Sequence, residues 1–279
     1  MKNFHIRCIG DRELAIPFQW AEQEGWQPGL DDASHYYSVD PQGFFMGFLN
    51  NEPIGCISGV AYDDSYGFIG LYLVRPEFRH QGFGMALWNR AMQHLQGRNI
   101  GLDGVVAQQN NYQKSGFKIA YRHLRLQTIG TGIARHNPKI LSLPEITFAQ
   151  VLAYDIFPVA RPVFLRSWIN QKDGAALGIV ESQKLVAFGV IRACKNCFRI
   201  GPLFADSLEL AESLLTALRT YAPADSPVLI DIPETNEAAL VLANRSAMLL
   251  VFETARMYTQ EIPTLNLHKI YGITTLELG

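Results

Sequence analysis

The sequence has no excess of charge of either sign and no long apolar segment. Its 24 lysines and arginines stand against 26 aspartates and glutamates, a formal net charge of −2. Because this balance offers no surplus of cations to DNA or RNA phosphates, we expect no nucleic-acid partner. The apolar runs are much shorter than the roughly 20 residues of a membrane helix, and the first residues do not resemble an apolar secretion signal. We expect a cytoplasmic protein without a membrane partner.

The sequence has only four cysteines, and they do not form a recognisable metal-binding pattern. Cys194 and Cys197 are spaced as Cys-x-x-Cys, but no second pair or neighbouring histidines complete a zinc ligand set. A redox motif of this spacing would open a helix, whereas this pair lies between strand-like runs at 185–193 and 198–205. We interpret it as a hairpin turn and expect no metal, with redox or metal chemistry as the alternative.

The common nucleotide-binding glycine patterns are also missing, namely Gly-x-Gly-x-x-Gly and Gly-Lys-Ser/Thr. Instead, an apolar strand at 69–74 leads through Arg79-x-x-Gly82-x-Gly84 into a helix with one apolar face. Without β-carbons at Gly82 and Gly84, successive backbone N–H groups can converge on an anion at the helix N-terminus. This segment therefore predicts a diphosphate-binding loop.

The order of strands and turns in the first half recurs in the second. The corresponding strand-like runs are 44–49, 53–61 and 68–74 in the first half and 175–181, 185–193 and 198–205 in the second. Asp103 and Asp231 follow at corresponding places, and a repeat of this length indicates a duplicated domain. We divide the chain into a first domain, 1–129, a linker, 130–144, and a second domain, 145–279.

The two halves differ where the glycine loop stands. The second half has Asp206, Ser207 and Glu209 at the helix start and no glycine. Two carboxylates there complement the helix dipole and repel a diphosphate. We therefore expect only the first half to bind such a group.

The strand, glycine loop and helix together resemble the acetyl-CoA-binding segment of the GNAT superfamily of N-acetyltransferases. The resemblance covers residues 4 to 127, and the remainder looks like a degenerate copy, as in tandem-domain members. It implies an α/β fold with a mixed α+β sheet, in which two GNAT-like domains each have a mostly antiparallel twisted sheet flanked by helices. It also implies acetyl-CoA as the cosubstrate.

The same resemblance implies which residues bind the cofactor. In that family the strand before the loop pairs through its exposed backbone with the pantetheine arm, a role that falls here to Leu73 and Val74. An asparagine near the catalytic tyrosine corresponds to Asn110 or Asn111, of which we include Asn111. The loop and first helical turn would hold the diphosphate through Arg79, His80, Gln81, Gly82, Phe83, Gly84, Met85 and Ala86.

Tyr112 occupies the place of a tyrosine that family members carry four residues before a Gly-Phe pair, here Gly116-Phe117. The resemblance implies that its phenol lies near the CoA sulfur and protonates the departing thiolate, which a reference pKa of about 10 permits. The segment that precedes it is a turn shorter than the family pattern. A purely packing role for the aromatic ring is the alternative.

The expected reaction is direct attack by an amine on the thioester in a ternary complex, which requires an acceptor for the amine proton. Many family members use a glutamate on the strand beside the thioester, but residues 69–74 include no carboxylate. Asp103 on the next strand is our candidate base, although its recurrence as Asp231 also fits a structural role. Asp63 or Asp64 and a chain of waters are the alternatives.

The resemblance also implies an acceptor site walled by the segment between the first helix and the first hairpin. Aromatic side chains there could hold an apolar stem, and Asp31 or Asp32 could hold a cation, unless the aromatics only fill the loop. Arg256 could bind a carboxylate across the cleft or could pair with Glu253. The predicted substrate-binding residues are Trp26, Asp32, Tyr37, Tyr72 and Arg256.

These observations predict an acetyl-CoA-dependent N-acyltransferase that acts on the primary amine of a small molecule. The rival prediction is a CoA-binding sensor or assembly module without turnover, which the missing base favours. A homodimer is compatible with either.

Overall fold

The computed structural model describes residues 3–132, 137 and 139–279, so part of the predicted linker, 133–136 and 138, lies outside the described residues. The described strands are β1 (Phe4–Cys8), β2 (Phe44–Leu49), β3 (Glu52–Ala61), β4 (Tyr66–Val74), β5 (Asn99–Val105), β6 (Lys118–Ile129), β7 (Ile140–Ser142), β8 (Gly174–Glu181), β9 (Lys184–Ala193), β10 (Phe198–Ala205), β11 (Pro227–Pro233), β12 (Leu249–Tyr258) and β13 (Ile270–Gly272). The described helices are α1 (Ala15–Gln23), α2 (Asp32–Tyr37), α3 (Phe83–His94), α4 (Gln109–Lys114), α5 (Phe148–Tyr154), α6 (Pro162–Trp168), α7 (Leu208–Arg219) and α8 (Glu237–Arg245).

The strands form one mixed sheet in the order β1-β2-β3-β4-β5-β12-β6-β11-β10-β9-β8-β7. Neighbouring strands are mostly antiparallel, and the pairs β4–β5 and β10–β11 are parallel. Helices pack on the sheet through the apolar faces that the sequence predicts. In the first half α3 buries Leu87, Trp88 and Ala91, and in the second half α7 buries Leu214, Leu215 and Leu218. The predicted fold class is confirmed.

The two halves exchange their last long strands. β12 lies between β5 and β6, with Met257 opposite Leu102, and β6 pairs on its other side with β11, where Leu126 lies opposite Ile230. Each half is therefore completed by hydrogen bonds to a strand of the other. Local patterning predicted the strands themselves but not this exchange.

Local sequence explains where two of the helices begin. A short 3₁₀ turn, Asp11–Leu14, leads into α1, which starts at Ala15. α6 starts at Pro162, because proline favours the first turn, where its missing N–H costs nothing. None of the helices in the described part of the chain has both the length and the apolar character that a membrane crossing requires.

The C-terminal residues connect the two halves. β13 pairs with β10, and the chain then crosses to β4 in the first half. It passes so close to Gly70 that a β-carbon there would overlap the Glu277 carbonyl oxygen. The Tyr62 hydroxyl donates to the Leu278 carbonyl at 2.8 Å. This tail, residues 273–279, therefore lies directly beside the strand that precedes the glycine loop.

Candidate active site

A cleft opens where β4 and β5 separate. The two strands pair in parallel only from Tyr66 opposite Asn99 to Ile69 opposite Leu102. Beyond that point β4 carries a bulge at Leu71, whose φ is +45°, and bulges of this kind bend a strand away from its neighbour. The backbone edge of β4 that follows Ile69 is therefore left without a partner strand on the β5 side.

The cleft has a volume of about 450 Å³, a size suited to a small-molecule ligand. Residues 69–74 of β4 form one wall, and Leu102, Asp103 and Val105 of β5 form the other. Of the predicted site residues, the cleft is lined by Trp26, Tyr72, Leu73, Val74, Arg79, His80, Gly84, Asp103 and Tyr112.

The glycine loop gives α3 an N-terminus with free amides. Gly82 is the N-cap with φ +87°, and the first helical hydrogen bond runs from Ala86 N to Gly82 O. Because the first N–H groups of a helix have no partner within it, the amides of Phe83, Gly84 and Met85 are available to an anion. A β-carbon at Gly82 would meet nothing within 4 Å, whereas one at Gly84 would lie 2.7 Å from the Tyr72 hydroxyl.

Arg79 anchors the loop to the end of β4. Its Nε donates to the Val74 carbonyl at 2.7 Å, and its Nη2 lies 2.5 Å from Glu24 Oε1. Both partners of the ion pair are about two-fifths exposed, so the pair itself contributes little stability. The Arg79 hydrogen bond leaves Leu73 as the freer of the two predicted pantetheine partners.

Of the other predicted cofactor residues, five lie in the loop or the first turn of α3 and one lies on α4, and none of them lines the cleft. Gln81 donates to the Glu77 carbonyl at 2.9 Å, and Asn111 donates to Gln108 Oε1 at 2.7 Å. A ligand at the loop would therefore meet mainly backbone from these positions. The set comprises Gln81, Gly82, Phe83, Met85, Ala86 and Asn111.

Tyr112 lies on α4 with its ring against β5. It stacks on Trp88, with ring centroids 5.5 Å apart, in a space that Gly104 leaves open. A β-carbon at Gly104 would lie 2.7 Å from the Tyr112 ring. Burial raises the pKa of the Tyr112 phenol, so it keeps its proton at neutral pH. The short α4 thus still presents a protonated phenol to the cleft.

Asp103 lies in a buried ion cluster rather than free in the cleft. Its side chain is 0% exposed, with Arg256 Nη2 at 2.7 Å and His123 Nδ1 at 2.8 Å. Burial acts to raise the pKa of this carboxyl, but the charges of Arg256 and His123 outweigh it and hold the pKa below its usual range. A carboxylate stabilised in this way is a weak base, which argues against our prediction that Asp103 accepts the amine proton.

Three of the predicted acceptor-site residues have structural partners instead. Asp32 lies outside the cleft and is fully buried, with Arg192 Nε at 2.8 Å. Arg256 pairs with Asp103 and not, as the alternative held, with Glu253, which contacts Arg122.

Tyr37, the third, packs against Phe44 at a ring distance of 6.1 Å. The corrections for Asp32 and Arg256 share one cause, because a buried charge needs an opposite charge and the local sequence does not show where that partner comes from. At the tip of the β3–β4 hairpin, Asp63 accepts hydrogen bonds from the amides of Ser65 and Tyr66 and serves as a turn cap.

Several cleft residues were missed because they come from distant parts of the chain. Strand exchange brings Phe252 and Thr254 of β12 and Arg125 of β6 to the inner end of the cleft, and the tail adds Leu276 and Glu277. No local motif marks these positions. Only the pairing of β12 with β5 and the path of the tail place them there.

The second half has a matching separation of strands, but the chain itself fills it. β10 and β11 pair in parallel up to Ile200 opposite Ile230, and a bulge follows in β10. β13 then pairs with β10 through Leu203 and Gly272, and Ile273 N donates to Asp231 O at 2.8 Å. The place that corresponds to the open cleft therefore holds protein.

The chemical groups differ as well. α7 begins with a side-chain cap, in which Ser207 Oγ accepts from Leu210 N at 3.3 Å. At the end of α8, Met248 N bonds to Ala243 O just as Phe117 N bonds to Tyr112 O. The second half thus has alanine where the first has the phenol.

Comparisons with known proteins agree with this architecture. Residues 12–117 match the acetyltransferase (GNAT) family, and residues 150–272 match an acetyltransferase (GNAT) domain. Over 269 residues the chain is 30% identical to the holothin acyltransferase of Pseudoalteromonas sp. (strain SANK 73390), an overlap of 96% of this chain and 92% of the relative. The chain belongs to the GNAT family. As a tandem GNAT protein it is an acyltransferase.

Solved structures show the same GNAT fold. A Pyrococcus horikoshii protein designated an acetyltransferase superposes with a TM-score of 0.83 at 21% identity, covering 99% of this chain and 96% of its own. A tandem GNAT protein from the clavulanic acid biosynthesis pathway gives a TM-score of 0.66 at 11% identity, covering 94% of this chain and 100% of its own. At these identities the likeness concerns the fold alone.

Proposed function

We propose that the protein transfers an acetyl group from acetyl-CoA to the primary amine of a small molecule, by direct attack in a ternary complex. The observation that carries this proposal is the separation of β4 from β5 beyond Ile69. It leaves an open strand edge between the glycine loop and Tyr112, with a cleft between them. The relative's name, an acyltransferase, favours turnover over binding alone.

The residues of the first half fit the proposed cosubstrate. The free amides of Phe83, Gly84 and Met85 would hold the diphosphate at the positive end of α3. The open edge of β4 at Leu73 would pair with an amide of the pantetheine arm. Val74 contributes less, since Arg79 already occupies its carbonyl.

Two proton transfers accompany the reaction. The amine nitrogen bonds to the acetyl carbon, the carbon–sulfur bond breaks, and Tyr112 supplies a proton to the sulfur. The amine proton leaves through water in our proposal, because Asp103 is stabilised as an anion. Asp103 then has a positioning role, holding His123 and Arg256 beside β5.

Titration calorimetry with CoA and acetyl-CoA, followed by free-thiol release across a panel of amines, tests the proposal. We expect binding, turnover with at least one amine, and a large loss of turnover in Tyr112→Phe. Binding without turnover across a broad panel would instead support the CoA-binding sensor or assembly module. No binding of either ligand would refute both. The linker at 130–144, a cytoplasmic location and a homodimer remain predictions.

A further inference from the structure

The charged side chains at the inner end of the cleft all have partners of opposite charge. Asp103 bonds to Arg256, and Glu277 lies 3.2 Å from Arg199. The cation at this end, Arg125, forms a bidentate ion pair with Asp231, in which Nε and Nη2 donate to the two carboxylate oxygens at 2.7 and 3.0 Å. Among the described residues that line this end, every carboxylate is therefore matched by an arginine. An ammonium group entering here would lose its hydration and gain no free counter-charge.

Two aromatic side chains and a leucine also line this end. Trp26 and Phe252 both line it, and Arg125 joins them, with Nη1 donating to the Trp26 carbonyl at 3.0 Å and its guanidinium carbon 5.8 Å from the Phe252 ring centre. The ion pair with Asp231 holds Arg125 in place. Leu276 of the tail adds a further apolar contact. These walls suit a planar ring more than a flexible charged chain.

Apolar surface continues outward from Phe252 along β12. Leu249, Leu250 and Val251 are 69, 58 and 49% exposed. β12 pairs with β5 only from Thr254 onward, so this stretch has a free edge on the β5 side. A water-exposed apolar run that ends at a ligand cleft fits an acceptor that is itself largely apolar.

The proton requirement points in the same direction. An alkyl amine with a pKa near 10 is neutral in only about one molecule in a thousand at pH 7, so its use demands an effective base. β4 carries no carboxylate, and Asp103 is committed to its ion cluster. An amine conjugated to a ring is already neutral, and its nitrogen can attack without first losing a proton.

We propose that the acceptor is an uncharged, weakly basic amine attached directly to a planar ring, and that Trp26 and Phe252 hold the ring. The inference rests on the proposed acetyl transfer. The nitrogen forms the new bond to the acetyl carbon, the carbon–sulfur bond breaks, and one N–H proton is lost as the thiolate gains one. The products are an N-aryl amide and free CoA thiol.

Aniline and benzylamine provide a matched test, since they share the ring but only benzylamine is charged at pH 7. With saturating acetyl-CoA, we expect kcat/KM for aniline to exceed that for benzylamine at least tenfold. Phe252→Ala and Trp26→Ala should each raise the KM for aniline at least fivefold without changing acetyl-CoA affinity. Tyr221→Ala, an exposed aromatic outside the cleft, is the control and should change neither.

Phe252→Leu separates ring stacking from simple burial, because it keeps apolar volume but removes the flat face. It should behave like Phe252→Ala. Equal or better turnover of benzylamine, or an unchanged KM in both Phe252 variants, would overturn this inference and leave acetyl transfer standing. Binding of acetyl-CoA without thiol release from aniline, when another amine of the broad panel is acetylated, would also overturn this inference alone. Failure of acetyl-CoA to bind, or binding without thiol release from any amine of that panel, would count against the proposed function and this inference together.

Discussion

The two halves of this chain build the same separation of parallel strands and use it differently. In the first half, β4 and β5 separate around an open cleft, beside a helix whose N-terminus is bare. In the second, β13 occupies the gap, and Ser207 caps the corresponding helix. A backbone framework that can accept a ligand as an extra strand can equally accept a piece of its own chain, so fold alone does not decide which half is active.

Each half also has a buried ion pair at the corresponding aspartate. Asp103 of β5 bonds to Arg256 of the exchanged strand β12, and Asp231 of β11 bonds to Arg125 of the exchanged strand β6. Asp231 has a second arginine, Arg199, at 2.9 Å. In both halves the aspartate thus forms an ion pair with an arginine on a strand that belongs to the other half. The repetition favours a structural role for both.

The largest effect should come from breaking the second-half pair. Asp231→Asn leaves Arg125 without its partner and Arg199 with Glu277 alone, so we expect the free energy of unfolding to fall by about 3 to 5 kcal/mol. Asp103→Asn should cost somewhat less, since one arginine is affected. Urea unfolding followed by tryptophan fluorescence measures both. The control is Glu212→Gln at an exposed pair with Arg245, and a loss in Asp231→Asn no larger than in this control would contradict the expectation.

Tyr112→Phe tests whether the phenol, which is replaced by Ala243 in the second half, takes part in catalysis. If the phenol protonates the leaving thiolate, kcat should fall about 100-fold while acetyl-CoA affinity stays the same. Steady-state thiol release and calorimetry provide the two readouts. Tyr221→Phe, which removes an exposed hydroxyl outside the cleft, should keep full activity. A kcat within twofold of the unmodified protein would remove Tyr112 from the chemistry.

Acid should weaken the contact between the halves. Asp103 and Asp231 both have pKa values below the usual carboxyl range, since burial, which would raise them, is outweighed by their arginines. Their stabilising effect is therefore complete above about pH 4 and is lost as the pH falls toward the folded-state pKa. We expect stability to fall progressively as the pH drops below about 4, because protonation of either aspartate removes its ion pair. Unfolding curves measured across this range should show a smaller loss in Asp103→Asn.

Gly82→Val and Ser207→Val compare the two helix starts directly. Valine at Gly82, where φ is +87°, is strained and places a branched side chain where the diphosphate must approach. We expect CoA affinity to fall more than tenfold, or about 1.4 kcal/mol. Ser207→Val should leave CoA affinity unchanged and cost only about 1 kcal/mol of stability through the lost cap. Equal loss of affinity in both variants would mean that the second half also takes part.

The sequence predicted the elements whose signals are local. Apolar periodicity located α3 and most strands, and glycine spacing located the loop that ends at a left-handed Gly82. The predicted turn at Cys194 is also present, with Cys194 N bonded to Cys197 O. These features depend on a few neighbouring residues, so short segments of the sequence are enough to predict them.

The predictions that the structure corrects concern residues whose partners lie far away in the chain. Asp32 and Arg256 looked available for a substrate because their partners, Arg192 and Asp103, are more than 150 residues away in the chain. Phe252 was missed for the same reason, since it reaches the cleft only through the exchange of β12. Strand partners and buried ion pairs at such separations leave no trace in local composition or periodicity.

The exchange of β6 and β12 also affects how the molecule is made. A nascent chain that has passed Val105 presents β5 with an uncovered edge, and the strand that covers it begins only at Leu249. Exposed edges of this kind invite pairing with other chains. This edge of β5 therefore lacks its native neighbour until the second half has been synthesised, and a chaperone that shields it over that time would protect the nascent chain.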